Sequence, residues 1–498
     1  MPNLQKTPYS RVFLIEDRAG PANAPMYMGL SRAMAADWPQ GDVTPVRVPD
    51  PDQYGQFIVI DEIRGAQGLP SLPLQTRYQR DASDLLRLVR KGCRLDVQVH
   101  MGRCRDPRDF NGGWDKVLVL EAARPTSWGT SELGALDVGE DAVVNEDTPF
   151  TGLDLYEVKR LALAEFGATE VVQEVVAITI CDSKACGECG ITSDGCQKVF
   201  ALTLSAGGSP GLPAELIYSE DQGATLGETN ISTLAANEDP DDMACVGANL
   251  VVVSQDSCSL HYAPIADVLD GTETWTEVAT GLTCAAGAPR ALFSLGSRFT
   301  WVVGAGGYIY FSSDIPSGVA VQSAGGVTIQ DFNDIHGYDE LNLVAVGASN
   351  AVVLTRNGGS TWSLITGPAV GIVLNAVWMR TADEWFIGTA GGRLYYTRDA
   401  GDTWTEKTFS GSGAGSVRDI QFATPTVGYL AHNTATPGGR ILRTIDGGFS
   451  WYVLPEDPGN IPANDYVNAL AACGEDVNLV FGGGLADNAT DGFLVKGA

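Results

Sequence analysis

The chain writes one turn repeatedly. TRNGGSTWSL (Thr355 to Leu364), TRDAGDTWTEK (Thr397 to Lys407) and TIDGGFSW (Thr444 to Trp451) share the pattern S/T-x-D/N-x-G-x-T/S-W, and SEDQGATL (Ser219 to Leu226) follows it with Leu226 in the tryptophan's place. Asp221, Asn357, Asp399 and Asp446 have the short polar side chain that hydrogen-bonds the backbone of its own turn. Gly223, Gly359, Gly401 and Gly448 stand where the chain must take positive φ. Trp362, Trp404 and Trp451 are placed to cap the turn by burying an aromatic face. A strand-like apolar run precedes each copy: ELIY, NAVVL, GGRLYY and GGRILR. The turn is therefore expected to join two strands of a β-hairpin, with a structural role ahead of calcium or glycan binding.

The copies start at 219, 355, 397 and 444, and the wide first gap holds about three periods of roughly 45 residues. Two degenerate copies fall inside it, LDGTETWTEV (Leu269 to Val278) and GGYIYFSSD (Gly306 to Asp314). EVVAITIC with KVFALTL begins a first unit, and VNLVFGGG with GFLVKG ends a last one that has strands and no turn motif. Short strands at this period are the signature of propeller blades. The expectation is an all-β chain whose residues 166–498 form a seven-bladed propeller, six and eight being the neighbouring counts, closed by pairing its last strands with its first.

The turn resembles the Asp-box, or BNR, repeat of sialidases, sortilin-type receptors and photosystem assembly factors. The resemblance implies a β-propeller and no particular activity.

Residues before about 165 carry no such turn, and their charge differs: 19 Lys/Arg against 23 Asp/Glu up to Arg160, then 13 against 38. Such asymmetry marks two domains. The first 50 residues, rich in Pro and Gly, read as an extended arm, and 51–165 as a β domain. QFIVIDEIRG, LPLQTRY, CRLDVQVHMG and DKVLVLEAARPTS alternate like half-buried strands, and DASDLLRLVRKG between the second and third reads as one short helix. GEDAVVNEDTPFTGLDLYEVKRL (Gly139 to Leu161) reads as a further strand and an exit into the propeller.

No run of eighteen apolar residues exists and MPNLQKTPYS does not read as a signal peptide, so neither membrane insertion nor export by the usual route is expected. A net charge of −29 argues against a general nucleic-acid binder. Cys181, Cys186, Cys189 and Cys196 sit together in CDSKACGECGITSDGC. They suit two disulfides stapling a long loop, a tetrahedral zinc, or free thiols. The glycines of the loop favour the staple and the lack of an export signal opposes it. Cys93 and Cys104 could pair, a further bridge could link two of Cys245, Cys258 and Cys284, and Cys473 reads as a buried thiol. No cofactor is expected.

Sialidase-type hydrolysis needs an arginine cluster, a tyrosine nucleophile with a glutamate, and an acid/base aspartate. The propeller has nine arginines, of which Arg356, Arg393, Arg398, Arg440 and Arg443 lie in or beside the turns, leaving few for a central pocket. His100, His261, His336 and His432 are scattered and read as surface or satisfied core residues. No catalytic residue is assigned, and an enzyme is not expected.

The β domain, through DLLRLVRKG between strands, WDKVLVLEAARPTSWGTSEL and GEDAVVNEDTPFTGLDLYEV, resembles the tail-tube proteins of long-tailed bacteriophages over roughly residues 40–165. The resemblance implies a virion protein made in the host cytoplasm. Six N-terminal domains would form a ring, rings would stack with other tail proteins, and DNA would pass through the lumen without specific binding. The propeller would hang outside as decoration or as a weak adhesin for host surface glycans. The competing expectations are a sialidase-like hydrolase, a glycan- or protein-binding propeller, and a photosystem-assembly-type binding factor.

Overall fold

The computed structural model describes residues 10–16, 26–34, 43–49, 57–64, 71–77, 95–101, 114, 116–125, 129–133, 144–151, 154–161, 163–166, 173–181, 196–205, 213–235, 238–278, 281–283, 287–296, 298–369, 371–434, 438–454, 461, 465–474, 476–486 and 491–497. The chain divides into two units, Met1–Arg160 and Leu161–Ala498. The sequence-predicted helix over 81–92 and the residues Cys93, Cys104, Cys186, Cys189 and Cys284 lie outside the described residues. No helix among the described residues is long and apolar enough to cross a membrane.

The first unit contains β1 (Ser10–Glu16), β2 (Met26–Met34), β3 (Val43–Pro49), β4 (Phe57–Arg64), β5 (Ser71–Arg77), β6 (Leu95–Met101), β7 (Lys116–Pro125), β8 (Gly129–Leu133), β9 (Val144–Thr151) and β10 (Asp154–Lys159). Eight of them form one sheet in the order β10-β7-β6-β1-β2-β5-β9-β8. A further pairing, Arg124 with Thr151 and Pro125 with Phe150, joins β7 to β9 and closes six strands into a ring of pairings. β3 and β4 stand apart as a two-stranded ribbon.

The expected N-terminal arm is corrected here. β1 lies inside the sheet between β6 and β2, with Val12 and Phe13 buried. The reason is its uninterrupted VFLI run, which the surrounding Pro and Gly hide in a compositional reading. β6 is covered on both faces: Val97 and Val99 are buried, and so are Gln98 and His100, whose side chains meet at 3.1 Å beside the Trp114 ring.

The second unit is a β-propeller of seven four-stranded antiparallel blades. Six take their strands in chain order, and their innermost strands are Val175–Ile180, Asp242–Val246, Pro289–Leu295, Phe332–Gly337, Leu374–Met379 and Ser416–Phe422 for blades 1 to 6. Blade 7 has Tyr466–Ala472 innermost, then Val480–Leu485 and Gly492–Gly497. Its outermost strand is β11 (Leu163–Phe166), from the start of the unit, paired antiparallel with Gly492–Gly497. First and last segments of the propeller thus share a blade, the closure expected from sequence.

The middle strands are buried on both faces, as in Leu343–Gly347 and Ala351–Thr355, where every residue is buried. Such strands read as continuous apolar runs. The cores lie between blades: Phe200, Leu216 and Trp275 join blades 1 and 2, and Val344, Val352, Met379 and Trp385 join blades 4 and 5.

Candidate functional site: the axial channel and the turns that rivet it

The recurrent turns connect the third and fourth strands of blades 1, 4, 5 and 6 and share one hydrogen-bond network. In blade 5 the Thr397 hydroxyl donates to Asp399 at 2.8 Å and accepts the Gly401 amide at 2.8 Å, while Asp399 accepts the Thr403 amide at 2.8 Å and its hydroxyl at 2.6 Å. Ser219, Asp221, Gly223 and Thr225 repeat this in blade 1, and Thr444, Asp446, Gly448 and Ser450 in blade 6. In blade 4 the Asn357 amide replaces the carboxylate: its oxygen accepts the Thr361 amide and its nitrogen donates to the Thr361 hydroxyl.

Environment divides these carboxyls. Hydrogen bonds from the Thr225 amide and hydroxyl hold exposed Asp221 down at about 2. Burial raises Asp446 and outweighs the bonds from Ser450.

Each glycine presses on the preceding blade. A Cβ at Gly401 would lie 2.5 Å from Ile365 of blade 4, one at Gly448 2.4 Å from Phe386 of blade 5, and one at Gly223 2.9 Å from Phe166 of β11. The tryptophans reach the same way. Trp404 Nε1 donates to the Thr366 carbonyl at 2.9 Å, Trp362 Nε1 to Gln322 at 3.4 Å, and Trp451 meets Phe386 edge-on at 6.4 Å. The sequence places these residues in hairpin caps; the structure adds that the caps rivet each blade to its neighbour.

The channel along the propeller axis has a volume of about 460 Å³ and is walled by the seven innermost strands. Each strand begins at the face where one blade connects to the next, and six of the seven carry a register shift near that end. The residue at this step lines the mouth, Val176, Arg290, Asn333, Asn375, Arg418 and Asn468 in blades 1 and 3 to 7, and Asp241 takes the matching position in blade 2. The asparagines are tied down. Asn333 donates to the Leu374 carbonyl at 2.9 Å, Asn375 to that of Val417 at 3.0 Å, and Asn468 to Glu174 at 2.7 Å. Arg290 donates to Gln255 at 2.7 Å and pairs with Asp331 at 3.1 Å. Arg418 is exposed.

One residue deeper the blades alternate: Ala177, Asp242, Ala291, Asp334, Ala376, Asp419, Ala469. Each aspartate spans two blades. Asp242 accepts the Met243 amide of its own strand at 2.8 Å and the Leu292 amide of blade 3 at 2.9 Å. Asp334 does the same with Ile335 and Val377, both at 2.7 Å, and Asp419 with Ile420 at 2.6 Å and Leu470 at 2.8 Å. Protein encloses each carboxyl although the residues keep contact with the channel, and this desolvation raises Asp242 to about 7, Asp419 to about 6 and Asp334 well above the usual range. Deeper still, His336 lies against Trp378 at 4.1 Å and Phe293 at 4.8 Å. Its Nδ1 accepts the Met379 amide at 3.2 Å, and burial lowers it to about 3, so the ring is neutral with its proton on Nε2.

His100, His261 and His432 are buried, and His336 is half-buried in the channel wall. His261 bonds Ser259 at 2.6 Å and Thr233 at 2.7 Å, and His432 Nε2 donates to the Ala414 carbonyl at 3.0 Å. The described residues lining the channel include two arginines and neither a tyrosine nor a glutamate, the pair on which sialidase chemistry turns. Among the described residues no group of three or more His, Cys, Asp or Glu is placed to hold a metal ion.

The cysteine expectation needs correction. Cys181 is bonded to Cys245 of blade 2 with a Cα separation of 5.7 Å, and Cys196 to Cys473 of blade 7 with 5.9 Å. These two are neither zinc ligands nor ends of a staple confined to the 181–196 loop, and Cys473 is no thiol. Cys258 is also in a disulfide. The partners stand 64 and 277 residues apart in sequence: packing of consecutive blades brings the first pair together, and closure of the ring the second.

Sequence reasoning missed the channel, although a signal exists. VVAI, PRAL, FNDI, LNAV, VRDI and VNAL place the mouth residue, the alternating Ala or Asp, and an apolar residue at one blade period.

No family model matches the chain, and no curated protein does. Among solved structures, YCF48 bound to D1 peptide is 14% identical, covering 68% of this chain and 97% of that one at a TM-score of 0.49. YCF48 from Cyanidioschyzon merolae is 14% identical, covering 67% and 98% at 0.49. U3-55K is 8% identical, covering 67% and 98% at 0.48. The propeller assignment rests on the chain's own seven blades.

Proposed function

We propose that the chain is a self-assembling structural subunit of a phage-type tail tube, its first unit building rings and its propeller carried as an appendage. The observation that supports this reading is the β3–β4 ribbon, which pairs with no other strand among the described residues. Both of its strands carry apolar residues, Val43, Val46 and Val48 on β3 and Phe57, Ile58, Val59, Ile60 and Ile63 on β4, with Val48 paired to Ile58 and Pro49 to Phe57. A two-stranded hairpin is marginal alone in water. Unpaired strand edges invite other chains. Neighbouring copies that receive the ribbon resolve both problems and turn a liability into an assembly device. The near balance of charge in the first unit suits a lumen through which DNA slides without gripping.

In this reading the recurrent turns are Asp-boxes with a structural role, and the propeller adheres weakly to host surface glycans or to nothing. The place of action is the virion. A second reading, a protein-binding propeller, is favoured by exposed apolar residues at or just before the starts of innermost strands, Ile329, Val373 and Tyr466, on the propeller that also exposes Arg418 at the channel mouth.

Electron microscopy with sedimentation velocity on the full chain separates the two. Rings or tubes are expected, and I58K/I60K in the ribbon is expected to give monomers whose propeller melts as before. Uniform monomers of the unaltered chain at every concentration would sink the tube reading and leave the binding propeller.

A further inference from the structure

The aspartates that peg one blade to the next join blades 2 to 3, 4 to 5 and 6 to 7. Seven is odd, so an alternating pattern must fail once around the ring. It fails at blade 1: Ala469 stands in blade 7 where a peg into blade 1 would start, and Ala177 stands in blade 1 where a peg into blade 2 would start. The other two unpegged junctions, 3 to 4 and 5 to 6, have turn tryptophans reaching back across them, Trp362 to Gln322 and Trp451 to Phe386. The turn of blade 1, which faces blade 7, has Leu226 instead, while Trp275 from the degenerate turn of blade 2 packs across the junction of blades 1 and 2.

The ring is sealed next to blade 1, in blade 7, which β11 closes with four residue pairs, Leu163 with Gly497 through Phe166 with Leu494. Both inter-blade disulfides among the described residues fall on blade 1. Cys181–Cys245 bonds it to blade 2 and Cys196–Cys473 bonds it to blade 7. Cys196 is held at a φ of 57°, a conformation that disfavours L-residues.

We infer that blade 1 is an oxidation-dependent lock: the two disulfides replace the missing pegs, and their reduction loosens the seam formed by blades 7, 1 and 2 while blades 3 to 6 stay closed. Formation balances as thiol–disulfide exchange with a small-molecule disulfide such as oxidised glutathione. The thiolate of one cysteine attacks that disulfide and expels one thiolate. The second cysteine's thiolate then displaces the other. For each bond, two protein thiols lose their protons and two electrons pass to the small disulfide, which leaves as two thiols.

Peptide mapping of the oxidised full chain under non-reducing conditions is expected to recover Cys181 with Cys245 and Cys196 with Cys473. Cross-links confined to the 181–196 loop would overturn the inference. Hydrogen exchange read by mass spectrometry then compares the full chain before and after treatment with a phosphine reductant. Amides of Val175–Ile180, Val199–Thr203 and Tyr466–Ala472 are expected to exchange about tenfold faster after reduction, and those of Leu343–Gly347 and Trp385–Thr389 by less than about twofold. Protection that is unchanged everywhere, or lost equally in all blades, would refute the lock.

Discussion

Asp242, Asp334 and Asp419 each gain two backbone hydrogen bonds and lose most of their hydration, and for these residues the lost hydration dominates. The pH dependence follows from the raised folded values, about 7 for Asp242 and about 6 for Asp419 against 3.8. Below about 4 the groups are protonated in both states. Between there and the folded values the unfolded chain has released protons that the native fold retains, so this stability is present at low pH and is lost as pH rises through 6 to 7. The melting midpoint of the full chain is expected to fall between pH 5 and pH 8, and D242N to fall less steeply; parallel curves from calorimetry would contradict the assignment. Asp221, held at about 2, works in the opposite sense and only under stronger acid, its stability being lost as pH falls from about 4 towards 2.

At the scale of the element, the turn is the unit of construction. Gly401 has a φ of 87° and its Cα faces Ile365 of the preceding blade, so G401A carries both backbone strain and a clash, a cost of about 1–3 kcal/mol. Gly271, in the degenerate copy of blade 2, has a φ of 66° and nothing within 4 Å of an added Cβ. G271A is therefore expected to cost only the backbone part, about 1 kcal/mol, and urea denaturation midpoints for the two variants test the difference. These turns were legible in the sequence because their logic is local: Asp399 bonds Thr397 and Thr403, four residues or fewer away. Blade number and ring closure followed from their spacing. The bridges of Cys181 and Cys196 were not legible, since Cys245 becomes a neighbour only through packing of the next blade and Cys473 only through the closed ring. β1 was hidden because its VFLI core is short beside the Pro and Gly around it. The channel residues escaped attention because Ala and Asp alternate at one position, and no single blade displays the rule.

For the whole molecule the governing quantity is charge. Of the net −29, the residues up to Arg160 carry 19 basic against 23 acidic side chains and the remainder 13 against 38. The proposed assembly through first units would bring acidic propellers into proximity, a repulsion screened with a Debye length of about 10 Å at 0.1 M salt. Raising salt from about 20 to 300 mM is expected to shift the full chain towards larger species in sedimentation velocity. Assembly that weakens as salt rises would point instead to attraction between opposite charges.

The short path from the first unit into the propeller has a mechanical meaning. β10 ends at Lys159 and β11 begins at Leu163, so the strand that completes blade 7 is also the tether of the propeller. Tension along the chain between the units is therefore delivered first to the four residue pairs of β11. Peeling them would strip blade 7 of its outer strand while Cys196–Cys473 still tied that blade to blade 1. The propeller is hung by its own latch, and the bond behind the latch decides whether a pull frays one blade or unwinds the ring.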